Sequence, residues 1–409
     1  MNCDIAIIGL GRVGLPLFLF LESRGFRLLG IERNENIISQ LRKKKMPFKE
    51  KGCDKLLKKT RGVFSNNFKE IKSKKCKYII ITVGTPLQDA IETDLSYINE
   101  VLKELLNVIQ KDQTIILRST VGPETTQYVK NKIEQKTRFK VGKNIFLAFC
   151  PERLAENKAL KELSILPQII GTEDDMSYKK TIKIFKKLNI KTHKTNFLSA
   201  ELVKLFNNNY RYIEFAMANQ FAIIANNLNQ NIYEIIKMCN DNYPRGKIFK
   251  PGLTGGSCLR KDFGMLNERT VSSDIFLTAF KINEYVPYHL TYTISQKIDL
   301  KNKKIAVLGY TFKKDSDNER ESLVPKLIRQ IEKKVPKKIT ICEPNIQSSK
   351  ICGYDNKTLK NTLKDADVLF IAINHSKFKK NIIFKYLKKK AWIVDIWNHL
   401  QLNKQIIKT

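Results

Sequence analysis

The segment "PGLTGGSCLRKD", Pro251 to Asp262, places a thiol, Cys258, behind two glycines and ahead of two cations and a carboxylate. A nucleophilic cysteine acts as thiolate, and Arg260 and Lys261 supply the positive potential that favours it. Glycine-rich, charged flanks are poor surroundings for a structural thiol in a core. A second pattern opens the chain, where "GLGRVG" follows the apolar run Asp4–Ile8. Gly9 would permit a tight turn and Gly11 a close approach of pyrophosphate to the backbone. Gly14 would let the next helix pack on its strand, with its N-terminus facing the anion. Glu32, at the end of "LLGIE", lies 18 residues after Gly14. A carboxylate there accepts both adenosine ribose hydroxyls and repels a 2′-phosphate, so the expected cofactor is NAD. The neighbouring Arg33 is the residue type that NADP sites use. Simple hydride transfer needs no thiol, so the two patterns together leave open what the cysteine does.

The elements that must position these groups follow from apolar periodicity. Strand-like runs at 4–9, 27–32, 77–83, 114–120, 145–149 and 167–171 alternate with helical patterns such as 13–25, 95–110 and 123–135. This alternation predicts a parallel sheet with helices on both faces. Residues 197–230 keep apolar residues at helical spacing without Gly or Pro, which predicts one long helix joining two domains and forming a dimer seam. On it Lys204 and Asn208, four apart, share a face. The α/β pattern resumes at 303–312 and continues at 339–345, 366–375 and 391–397. The fold class is therefore α/β, with two Rossmann-like doubly wound domains joined by a long central helix. The expected domains are 1–196, 197–298 and 299–409.

Composition narrows the function classes. The 409 residues are 42% hydrophobic and 28% charged, as in an ordinary globular protein. The longest apolar run, Leu15–Leu21, is far too short to span a bilayer, and Asp4 stands where a signal peptide wants a cation, so the cytoplasm is the expected location. Eight scattered cysteines without a CxxC pair, and four histidines in no ligand-like spacing, imply neither a disulfide framework nor a metal. The cysteines other than Cys258 are read as small buried hydrophobes. A net charge of +34 invites a nucleic-acid partner, and a basic nucleic-acid-binding Rossmann protein is the alternative of another class. The lysines are dispersed over the chain without aromatic interleaving, so neither nucleic acid nor membrane is expected as a partner.

Four further segments fall where a doubly wound fold places ligands, at the carboxyl ends of strands: "VGTP", "STVGPETT", "CPERLAENKAL" and "ELVKLFNNN". With "GGSCLRKD" and "GYTFKKDSDNERES" they run in one order over nearly the whole chain. The set resembles the UDP-glucose/GDP-mannose dehydrogenase family, which oxidises a sugar's primary alcohol to a carboxylate in two NAD-dependent steps.

The resemblance explains the cysteine. It implies that Cys258 captures the intermediate aldehyde as a thiohemiacetal and, after a second hydride leaves, carries it as a thioester. Gly255 and Gly256 would let the substrate approach. Lys204 is implied as oxyanion stabiliser, Asn208 as holder of a water, Glu152 as general base or acid, Asp262 as proton-transfer carboxylate, and Thr120 as a hydroxyl near the reacting carbon. NAD contacts are implied at Gly9, Gly11, Arg12, Val13, Gly14, Glu32, Arg33, Val83, Thr85, Pro86, Ser119, Thr120, Glu156, Lys261 and Arg320. Substrate contacts are implied at Glu152, Arg153, Leu154, Lys204, Asn208, Lys250, Gly252, Phe312 and Lys313, and at Arg245 across a dimer interface. Asn157 replaces the family's usual glycine after Glu156. The loop before Cys258 is shorter than in UDP-glucose enzymes, and "VDIWNH" stands where those enzymes carry an arginine pair. These departures, with "NNNYR" and its Arg211, point to the branch acting on UDP-N-acetylhexosamines; UDP-glucose is the alternative substrate. The implied product is a uronic acid for surface polysaccharide, made by a homodimer or larger homo-oligomer that folds its C-terminal domain over the N-terminal one. A degenerate homologue and a dehydrogenase stopping at the aldehyde are the other readings. Intact Cys258, Lys204, Glu152 and Asp262 argue against the first, and Cys258 against the second.

Overall fold

The computed structural model describes residues 2–86, 93–267 and 274–409, without the side chains of Ser257, Cys258 and Asn267. The chain divides into two compact units, Met1–Asn207 with Lys261–Thr270, and Asn208–Arg260 with Val271–Thr409. The first unit carries an eight-stranded sheet in the order β3-β2-β1-β4-β5-β6-β7-β8. Its strands are β1 (Ile5–Ile8), β2 (Leu28–Ile31), β3 (Val63–Ser65), β4 (Tyr78–Ile81), β5 (Thr114–Leu117), β6 (Phe146–Phe149), β7 (Gln168–Gly171) and β8 (Thr192–Thr195). Alternate residues of each central strand enter different cores. Ile5 and Ile7 pack with the Gly14–Ser23 helix, whereas Ala6 and Ile8 pack with the Ser96–Leu105 and Thr125–Lys136 helices. Both faces are therefore dry, which is why these strands read as unbroken apolar runs.

One direction departs from the all-parallel expectation. β7 meets β6 antiparallel through Phe149 and Gly171, and β8 runs parallel to β7. An apolar run fixes a buried strand but carries no sign of its direction. The sequence pattern also misses β3 and β8, because "VFS" is too short and "THKT" has no apolar side chain.

The second unit holds a five-stranded sheet, β10-β9-β13-β14-β15, built from β9 (Lys304–Leu308), β10 (Lys338–Cys342), β13 (Val368–Ile371), β14 (Trp392–Val394) and β15 (Ile406–Lys408). β11 (Lys350–Ile351) and β12 (Tyr354–Asp355) form a separate hairpin. Val307 and Phe370 face one core and Leu308 and Ile371 the other, the same two-sided burial. Only the last pair, β14 with β15, is antiparallel among the described strands of this sheet.

The long helix Phe197–Asn227 begins in the first unit and runs into the second. Buried Ala216, Ala218, Ala222 and Ala225 let neighbours approach it closely. It stops three residues short of the expected end; Asn229, at φ +55, turns the chain out of it. Within the second unit, buried Asn219 on this helix donates to Asn283 Oδ1 (2.9 Å) and accepts the Gly252 N–H (2.8 Å). One amide thus ties the long helix, the Asp274–Ser295 helix and the loop leading to Cys258.

Candidate active site

The glycine cradle follows β1. Gly9 sits at φ +90, and a Cβ on Gly14 would lie 1.9 Å from Gly9 O, so neither position accepts a side chain. A Cβ on Gly11 would meet nothing within 4 Å, leaving open space where a pyrophosphate could approach the backbone. Thr82, at the end of β4, donates its hydroxyl to Gly9 O (2.7 Å) and fixes the turn. Glu32 accepts the N–H groups of Leu10 (2.8 Å) and Asn34 (3.0 Å), which aims its carboxylate over the cradle and leaves lone pairs for hydroxyls. Arg33 is exposed, paired with Glu100 (2.9 Å) and stacked 4.4 Å from the Tyr97 ring. These residues fit a dinucleotide.

The next loops leave β4, β5 and β6, which are adjacent in the sheet, at their carboxyl ends. Lys261 Nζ lies 3.0 Å from Thr85 Oγ1, Thr85 donates to Thr120 O, and Ser119 donates to Val83 O (2.7 Å). Five predicted positions thus form one hydrogen-bonded strip; Pro86 is exposed beside it. Glu152 is buried, and Arg118 binds its Oε2 through Nε (2.8 Å) and Nη2 (2.7 Å). Its Oε1 accepts the N–H groups of Arg153 (2.7 Å) and Leu154 (3.0 Å). Four donors fill the carboxylate's lone pairs, a geometry that anchors a loop and leaves little room for a base.

Farther along the loop, Glu156 pairs with Arg12 (3.0 Å), joining a nicotinamide-side candidate to the cradle. Asn157 adopts φ +67, the left-handed region that glycine favours and asparagine tolerates, so the departure from the family's glycine keeps the turn. Glu50 accepts the N–H groups of Asn157 (2.9 Å) and Ala159 (3.1 Å). On the long helix, buried Glu201 accepts the Glu124 N–H (2.8 Å) and the Thr126 N–H (2.7 Å) and hydroxyl (2.6 Å), capping the helix after β5. One and two turns on, Lys204 and Asn208 are both buried, unlike an ordinary solvated lysine.

In the second unit the loop Pro251–Gly256 is buried and leads into the Ser257–Asn267 helix. The Cys258 side chain lies outside the described residues; its backbone forms the first turn of that helix. The glycine pair before it serves packing rather than substrate approach. A Cβ on Gly255 would lie 2.6 Å from Glu321 O, and one on Gly256, at φ +102, 2.6 Å from the Phe312 ring. Gly256 N–H also donates to Glu321 O (2.8 Å). Gly252 is likewise filled, by the Trp397 ring. Arg260 pairs with Glu284 (3.1 Å) and Glu321, which in turn steadies the helix start. Asp262 is fully buried, with Lys261 Nζ 4.0 Å away. Lys313 Nζ lies 5.5 Å from the Phe312 ring, and Arg320 Nε bonds Asn318 (3.1 Å). Arg211, Arg245 and Lys250 are exposed; Arg245 stacks on Tyr243 at 4.9 Å.

Of the other seven cysteines, Cys3, Cys53, Cys76, Cys150 and Cys342 are buried, but Cys239 and Cys352 are exposed, contrary to the expectation. Burial pushes the thiols of Cys53, Cys150 and Cys342 up to about 12, which makes them inert. Among the described residues no cluster of His, Cys, Asp and Glu could hold a metal, and no helix is long and apolar enough to cross a membrane.

Two Rossmann-type sheets, one with a dinucleotide cradle, and a cysteine in the first turn of a helix define a nicotinamide-dependent oxidoreductase. Residues 3–189 match the NAD-binding domain of the UDP-glucose/GDP-mannose dehydrogenase family, 198–285 its central domain and 306–402 its UDP-binding domain. The chain belongs to this family, and its cofactor is NAD. UDP-N-acetyl-D-mannosamine dehydrogenase of Methanococcus vannielii is 30% identical over 98% of this chain and 93% of its own. The structure of UDP-D-ManNAc dehydrogenase from Pyrococcus horikoshii superposes with a TM-score of 0.86 at 28% identity, covering 94% and 93% of the two chains. UDP-N-acetyl-mannosamine dehydrogenase from Staphylococcus aureus gives 0.84 at 27%, covering 97% and 95%.

Proposed function

We propose that this protein oxidises the C6 primary alcohol of a UDP-N-acetylhexosamine to the carboxylate in two hydride transfers, with Cys258 as covalent nucleophile, making a uronic acid precursor of surface polysaccharide. The observation that supports this reading is the position of the Cys258 backbone in the first turn of a helix, whose partial positive charge favours a thiolate. NAD supplies the hydride acceptor for both oxidations, and in the first the C6 hydroxyl gives its proton to water as the aldehyde forms. The thiolate adds to the aldehyde carbon, forming a C–S bond, and the resulting alkoxide is stabilised by Lys204. Loss of the second hydride leaves a thioester. A water held by Asn208 attacks it, Asp262 takes the water's proton, and the C–S bond breaks to release the acid and restore the Cys258 thiolate. We assign Glu152, saturated by Arg118 and two N–H groups, to orienting its loop, with Thr120 beside the reacting carbon. Phe312 and Lys313 receive the nucleotide sugar, with Lys250 and Arg211, and Arg245 does so across a homodimer interface.

The names of the similar proteins and the missing late arginine pair support an N-acetylhexosamine over glucose. NAD reduction over a panel of UDP- and GDP-sugars tests this. The expected result is fastest turnover with a UDP-N-acetylhexosamine and two NAD reduced per sugar. One NAD per sugar, or UDP-glucose as the best substrate, overturns the respective half. Cys258→Ser should lower double oxidation by orders of magnitude while NAD and nucleotide-sugar binding persist. Thiol alkylation is best followed in a Cys239→Ser/Cys352→Ser background, since those two exposed thiols would otherwise contribute.

A further inference from the structure

Three strand ends of the second sheet meet in a buried polar cluster that the proposed chemistry does not use. β9 lies between β10 and β13, so the residues after each of the three are neighbours. Glu343 follows β10, Tyr310 and Thr311 follow β9, and His375 follows β13. The side chains of Glu343 and His375 have no solvent exposure and lie 2.9 Å apart. Glu343 also accepts the N–H groups of Tyr310 and Asn345, both at 2.8 Å. Burial alone would push its carboxyl up, but the hydrogen bond from His375 and these N–H groups hold it below the usual range.

An ionised Glu343 fixes the imidazole. It requires Nε2 to carry the proton and donate, and the backbone N–H aimed at Nδ1 requires that nitrogen to accept. Nδ1 accepts the backbone N–H of Asp315 at 2.8 Å. From the opposite side, the Asp315 carboxylate accepts the Ser376 N–H (2.8 Å) and hydroxyl (2.6 Å). Asp315 stands at φ +57, a left-handed corner that this clasp holds. The clasped loop carries Phe312, whose ring fills the space beside Gly256, and Lys313. A buried Glu–His pair is costly to desolvate, and apolar side chains would fill the same space more cheaply. Its use must lie in what it orients.

We propose that His375 is a positioning residue for nucleotide-sugar binding: its imidazole, set by Glu343, grips the Asp315 backbone and so fixes the Phe312–Lys313 corner on which the nucleotide docks. This rests on the assignment of Phe312 and Lys313 above. The nucleotide needs a preformed corner because any loop ordering on binding subtracts from affinity.

Two amide substitutions separate this role from mere filling. His375→Asn puts its carbonyl oxygen near the place of Nδ1 and keeps the grip on Asp315. His375→Gln reaches the place of Nε2, keeps the bond to Glu343 and is closer in volume, but loses the grip. The full chain is titrated calorimetrically with UDP and, separately, with NAD. The expected UDP dissociation constant is within about threefold of wild type for Asn and weaker by about tenfold for Gln, the worth of one buried hydrogen bond. NAD affinity should not move in either. Ser376→Ala, an exposed change that spares folding, should weaken UDP by about threefold. Gln binding UDP as tightly as Asn, with Ser376→Ala unchanged, overturns the proposal and leaves the nucleotide-sugar reading standing. A wild type that binds no UDP removes both.

Discussion

Arg118 and Glu152 show how much of the site hangs on a single buried pair. Arg118 binds Glu152, Gln168 Oε1 (2.9 Å) and, more weakly, Cys150 O, all beneath the loop that carries Arg153 to Glu156. Arg118→Met should therefore leave an uncompensated buried carboxylate and cost about 3–5 kcal/mol, read by urea unfolding. Glu152→Gln, which keeps the shape and one of the two acceptor oxygens, should cost less. Equal losses would show that the pair contributes no charge-specific anchoring. At the cradle, Glu32 accepts the Leu10 N–H while the Arg33 charge is engaged by Glu100 and Tyr97. A kcat/KM strongly favouring NAD over NADP is expected, narrowed in Glu32→Gln; a wild type faster with NADP would contradict this placement. Glu343 sets a pH dependence. Its folded carboxyl lies below the unfolded value, so its stabilisation is complete above about pH 5 and is lost as pH falls through the folded value. Glu343→Gln should flatten that acid limb of thermal stability, and an unchanged limb would show that other carboxylates set it.

At the scale of elements, the loop after β6 is held by ties that sequence distance hides. Glu50 grips it from residues 107 and 109 positions away, and Asn157 turns it in the left-handed region. Asn157→Gly should change stability by less than about 1 kcal/mol and leave the KM for NAD intact. A β-branched Asn157→Val should cost about 1–2 kcal/mol and raise that KM, because Glu156 rides on the same turn. A valine variant as stable as the glycine one would mean the turn relaxes to another conformation. The Ser257–Asn267 helix is positioned the same way, by Gly256 against Phe312 and Arg260 against Glu284 and Glu321.

For the molecule as a whole, the long helix leaves a stripe uncovered. Phe206, Tyr210, Met217, Phe221, Ile224 and Leu228 recur at three-, four- and seven-residue spacings and are all exposed, Tyr210 and Leu228 by 65% and 64%. Exposed apolar stripes of this length mark interaction surfaces, and we predict that a second copy covers this one against the repulsion of a net charge of +34. Light scattering at micromolar concentration should give a dimer, and Met217→Glu with Phe221→Glu should shift it toward monomer with loss of activity through Arg245. A fully active wild-type monomer would remove the partner's role.

Local patterns in the sequence determined the cradle, the strand runs, the long helix and the segment around Cys258, because their physics acts within a turn or a strand. The spacing of Gly9, Gly11 and Gly14 and the polarity of "GGSCLRKD" need no distant residue to be read. Partnership across long separations was settled only in three dimensions. Arg118 finds Glu152 34 residues on, Glu50 finds Asn157, and His375 finds Asp315 60 residues back. The reversal of β7 and β8, and the filling of Gly255 and Gly256 by Glu321 and Phe312, belong to the same set. An apolar run or a glycine states that something must pack there. Which residue arrives, and from which direction, is decided by burying all the strands and loops at once.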